Sequence, residues 1–156
     1  SFFTSGLDNA NKGTSGAPGR LMLLSGDAQY RYGDFEARGV YVHEKVEDAE
    51  ELNAFASNDV GELMSGYYVE AAYHVMPESW KTGKLDNADA VVFARFEDYD
   101  TQDKVPTGAV RDPDAAREEV TTGLACFLTQ QLVIKADYTW RDDRPDLWNL
   151  GMGFTF

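Results

Sequence analysis

Arg31, Arg38, Arg95 and Lys135 stand at alternate positions in four different apolar stretches, and Asp27, Glu36, Glu70, Glu97 and Asp137 share their parity. Charged groups in that pattern lie on one face of an extended chain. Two outcomes are open to them. On a wetted face they form a ladder of pore-lining groups, each replacing part of an ion's hydration without holding it long. Alternatively, each base neutralises an acid beside it and the face carries little net charge. Catalysis has no comparable foothold. Ser, His and Asp occur, but no nucleophile elbow or Gly-rich phosphate loop does. His43 and His74 lack ligand spacing, and the acidic loops miss the EF-hand pattern. The chain is therefore expected to be no enzyme and to use no cofactor or metal.

The elements that must carry these groups are strands. From Trp148 to Phe156 the chain alternates strictly, with Trp148, Leu150, Met152, Phe154 and Phe156 against Asn149, Gly151, Gly153 and Thr155. That period puts the large apolar set on one face and the small polar set on the other. Comparable stretches run over about residues 21–32, 35–45, 65–75, 88–99, 118–128 and 132–140, making roughly seven strands. Most are about 9–12 residues long, the length a tilted strand needs to cross a bilayer. Residues 1–20, rich in Gly, Ser, Asn and Thr, read as a loop preceding a single strand domain over residues 21–156. Gly33-Asp34 and Thr129 to Gln131 are tight turns, whereas Val46 to Glu62 and Asp100 to Arg117 are long polar connectors, the first with an acidic helical turn around Ala49 to Ala56. Such asymmetry between the two ends of a sheet is a habit of outer-membrane barrels.

Composition removes other classes. Lys plus Arg total 14 against 27 Asp plus Glu, a formal charge of −13, so the chain lacks the basic surface of a nucleic-acid binder. One cysteine, Cys126, excludes an internal disulfide and reads as a small hydrophobe between Leu124 and Leu128. No stretch reaches the about 18 apolar residues of a membrane helix, so a membrane role survives only through strands. Neither a signal peptide nor an initiator Met opens the chain, which favours its being the C-terminal part of a longer protein.

Four blocks then carry a resemblance: residues 66–73 (GYYVEAAY), 93–100 (FARFEDYD), 132–138 (LVIKADY) and the terminal GMGFTF. In this order and spacing they are similar to the C-terminal portion of the phosphate-selective porin O/P family, from about Gly26 to Phe156. The resemblance implies an all-β, antiparallel transmembrane β-barrel of about 16 strands, of which this chain holds the last seven or so. It further implies a porin of the Gram-negative outer membrane, usually a homotrimer, passing small hydrophilic solutes, anions such as phosphate among them. Its partners are then outer-membrane lipid and the assembly machinery, which reads Phe156 as its signal. The pore-lining candidates are Arg31, Arg38, Arg95, Lys135, Glu70, Glu97 and Asp137. Tyr138, Trp140 and Trp148, near strand ends, would form an interfacial girdle. The competing reading is a soluble up-and-down barrel that binds a small ligand inside, with apolar interior and polar exterior.

Overall fold

A computed structural model describes residues 1–6, 19–56, 59–142 and 144–155. Among these residues it is an all-β, antiparallel single sheet of eight strands in the order β1 to β8, without crossovers. The strands are β1 (Phe2–Gly6), β2 (Arg20–Tyr32), β3 (Phe35–Glu47), β4 (Leu63–His74), β5 (Asp89–Lys104), β6 (Ala116–Thr129), β7 (Leu132–Arg141) and β8 (Leu147–Phe154), with one helix, α1 (Ala49–Ala56), between β3 and β4. No described helix is long and apolar enough to cross a membrane.

Two expectations need correction. Residues 2–6 are a strand, not part of a leading loop, and they raise the count from seven to eight. Phe2, Phe3 and Thr4 pair with Leu24, Leu23 and Met22 of β2; this partnership lies beyond any local window, so the Gly/Ser-rich composition around it concealed it. β5 also runs on to Lys104 through a polar stretch without an apolar face, because Gln102 and its neighbours there are tied by side-chain bonds. Phe156 lies outside the described residues.

The residues cluster into two compact units. The first comprises Ser1–Asp27, Val40–Tyr67 and Asp98–Arg117. Its organising group is Gln102, a buried amide in β5. Gln102 Nε2 donates to the Asp59 carbonyl at 2.7 Å, and its Oε1 accepts from the Asp112 backbone at 2.6 Å. One side chain thus ties the connector after α1 to the connector between β5 and β6. Arg111 closes the same knot, donating to the Gln102 carbonyl at 3.1 Å and to Asp100. Asn53 fastens the end of the α1 connector, exchanging two 2.9 Å bonds with the Val60 backbone. Glycine is required at Gly66, where a Cβ would lie 2.7 Å from Tyr99 Cβ.

The second unit comprises Ala28–Gly39, Tyr68–Glu97 and Glu118–Phe156. Its β2–β3 connection is the two residues Gly33-Asp34, and Gly33 takes φ 58°, where glycine is favoured in tight hairpins. β6 and β7 are joined just as tightly, and Thr129 Oγ1 accepts from Gln131 at 3.1 Å. The β4–β5 connector is longer and holds two 3₁₀ turns, Glu78–Trp80 and Gly83–Leu85. On it Lys81 donates to Glu78 at 2.7 Å, a bond that raises the lysine pKa above its ordinary value.

Removing the Gln102 clamp should free both long connectors. Gln102→Ala forfeits two part-buried hydrogen bonds, of about 1 kcal/mol net each. Tryptic cleavage after Arg111 should then accelerate by about thirtyfold, since it tracks local opening. Peptide mapping over a time course measures it, and an unchanged rate would show that the clamp is not what holds the segment.

Candidate functional site: an ion-paired face in the second unit

Every pore-lining candidate read from the sequence falls in the second unit and is already paired. Arg31 meets Glu36 at 3.0 Å across the β2–β3 hairpin, and Arg38 meets Glu70 at 2.9 Å from β3 to β4. The other two pairs run along single strands at a spacing of two, which keeps both members on one face. Arg95 contacts Glu97 at 2.8 Å and Lys135 contacts Asp137 at 3.3 Å. Asp137, only 8% exposed, also accepts from Asn149 Nδ2 at 2.9 Å, so its lone pairs are well used. The second of the two outcomes open to these groups is the one observed: the four bases form no ladder of uncompensated charge.

Several groups on this face were not singled out by spacing. His74 lacks metal-ligand spacing, yet its Nδ1 bonds Asp89 and its Nε2 lies 3.3 Å from Glu36. The two carboxylates address opposite ring nitrogens and cannot chelate one ion; no metal-holding group occurs among the described residues. The parity shared by Glu36, Glu70 and His74 was the available signal. Tyr68 carries the Arg95 guanidinium 5.4 Å from its ring centroid, and Phe93 carries Lys135 Nζ at 4.4 Å. Both contacts have cation–π geometry. Phe93 fits there because Gly123 has no side chain. A Cβ at Gly123 would meet Phe93 Cζ and Asp137 Cβ at 2.7 Å and the Ala136 carbonyl at 2.6 Å. Thr121 and Thr139, register partners in β6 and β7, share a 3.0 Å hydroxyl bond and are buried.

Burial in this unit is inverted relative to a soluble domain. The buried side chains Val91, Phe93, Thr121, Asp137 and Thr139 belong to the charged face. The opposite face exposes Tyr30, Tyr73, Val92, Leu124, Ile134 and Trp140. β8, the last strand in the order, is exposed on both faces, and its apolar set is the most open, with Trp148 76%, Leu150 81% and Met152 74% exposed. Rings gather at one end of β7 and β8: Tyr138 packs 4.8 Å from Trp140 and 4.7 Å from its register partner Trp148, and donates to Asp146 at 2.5 Å.

Comparison with known proteins adds little to this geometry. No family model and no solved structure matches the chain. An uncharacterized protein of Aquifex aeolicus (strain VF5) is 26% identical over 155 residues, covering 94% of this chain but 34% of that protein. The chain thus spans about a third of that relative's length.

The Gly123–Phe93 fit predicts a coupled effect. Gly123→Val should cost about 1–3 kcal/mol by overpacking, and part of that cost should vanish in a Phe93→Ala background, where the ring is gone but the Ala136 carbonyl and Asp137 Cβ still crowd the site. Urea titration of the four variants of the cycle measures this; equal costs in both backgrounds would contradict the fit.

Proposed function

We propose that this chain is the strand region of an outer-membrane porin, resembling the phosphate-selective O/P family. The apolar face of its sheet meets lipid, and the ion-paired face lines a water-filled path for small hydrophilic solutes. The observation that carries the reading is the inverted burial. Leaving a large apolar side chain in water forfeits about 1.5–3 kcal/mol. Trp148, Leu150, Met152 and Phe154 on β8 alone would then forgo on the order of 10 kcal/mol, comparable with the whole net stability of a domain. Another layer must cover them.

Hydrocarbon suits that face for further reasons. β2 to β7 are 10–16 residues long, enough to cross a bilayer. The rings of Tyr138, Trp140 and Trp148 gather where an interfacial girdle belongs. A soluble ligand-binding barrel requires the opposite placement, with rings and methyls inside. The solute class is less directly supported. Paired bases offer no anion ladder, so phosphate rests on the resemblance, and a weakly ion-selective path fits this face better. Trimeric assembly rests on the resemblance too.

Lipid contact is tested by fluorescence. Chain-brominated phospholipid should quench Trp148 strongly when the folded chain is in bilayers. A chain that folds cooperatively as a soluble monomer without any amphiphile would sink the proposal. In bilayers under a salt gradient, Glu70→Gln leaves the Arg38 charge uncompensated and should move the reversal potential towards anion preference; Arg38→Gln should move it the other way.

A further inference from the structure

Within the second unit the charged face holds a cleft of about 300 Å3. Glu36, Arg38, Glu70 and Lys135 supply its charge, Phe93 and Phe127 its apolar rings, and His74 an imidazole already engaged by Asp89 and Glu36. The charge is balanced, two carboxylates against two cations, and each already has a partner in Arg31, Glu70, Arg38 or Asp137. A free anion entering here must compete with a carboxylate for Arg38 or Lys135, and a cation must compete with a base for Glu36 or Glu70. An uncharged hydroxylated solute competes with nothing. Its hydroxyls accept from the unused guanidinium and ammonium N–H groups and donate to the unused carboxylate lone pairs.

The rings decide between small polyols and ring sugars. Phe127 belongs to the charged face by parity yet is 39% exposed, the most exposed ring of a cleft whose wall also carries Val91 and Ala125. Phe93 forms the floor, 9% exposed, fixed in the space left by Gly123 under the Lys135 ammonium. A pyranose has an apolar C–H face and a rim of hydroxyls, so it places its C–H face on the ring and its rim on the ion pairs. Binding pockets of this kind combine apolar walls with a few converging polar groups.

We infer that this cleft is a subsite for an uncharged pyranose sugar, held by the Phe127 ring, the Arg38–Glu70 pair and Lys135. The inference rests on the charged face being the solute path, and it names the solute class for that path. The test uses saturation-transfer NMR on the full chain, folded in a detergent without a sugar headgroup, with millimolar maltose as the probe. Transfer to the sugar C–H protons is expected. It should fall about fivefold in Phe127→Ala and remain unchanged in Val110→Ala, at an exposed position of the first unit outside the cleft lining. Inorganic phosphate should not displace the maltose.

Three results would overturn the inference: no transfer from the folded chain, transfer indifferent to Phe127, or displacement by phosphate. The lipid-quenching result separates this from the channel reading. Quenching of Trp148 without sugar transfer removes the subsite and leaves the channel. Phe127-dependent transfer without quenching keeps the subsite and removes the channel.

Discussion

The rest of this structure depends on one constraint: in the second unit each strand puts its apolar side chains on one face of the sheet and its charged side chains on the other. A strand offers only two faces, so sending Tyr, Leu and Trp one way commits Arg, Glu and Asp to the other. Arg31, Arg38, Arg95 and Lys135 each pair there with a carboxylate that is the more buried member of the pair, so the acids are the groups that most need a partner. The Arg38–Glu70 bridge, the Lys135–Asp137–Asn149 chain and the Thr121–Thr139 hydroxyl bond are the local solutions. An environment that accepts the apolar face and a pairing scheme that satisfies the charged one are two halves of the same requirement.

Glycine completes the charged face. Because every second position points into the polar layer, a ring there needs room that its cross-strand neighbours do not ordinarily leave. Gly123 makes that room for Phe93 in the second unit, and Gly66 does so for Tyr99 in the first. The rings in turn shield the ammonium and guanidinium groups that lie over Phe93 and Tyr68, so that hydrophobic contact and charge pairing are interleaved rather than segregated.

Much of this was legible from residue order. Alternation located β2 to β8 to within a few residues, and the helix around Ala49 to Ala56 follows from a polar stretch without that alternation. What stayed hidden was non-local. β1 owes its existence to Leu24, Leu23 and Met22 across the hydrogen-bond ladder, not to its own composition. The end of β5 is held by Gln102, whose partners lie in two other segments. Parity placed the site residues on one face but could not say who pairs with whom. Arg31 finds Glu36 through a turn, whereas Arg95 and Lys135 find acids two positions along their own strands. His74 looked solitary because its carboxylates come from β3 and the start of β5.

The Phe93–Gly123 fit also constrains how this sequence can drift. A ring at one position and a missing Cβ at the other form a lock whose halves sit thirty residues apart on strands β5 and β6. Neither half can change far on its own: a larger residue at 123 evicts the ring, and a smaller one at 93 strands the lysine above it. Descendants of this chain are therefore expected to keep both residues or to exchange them together, leaving a correlated pair as the lasting trace of a polar layer packed to contact.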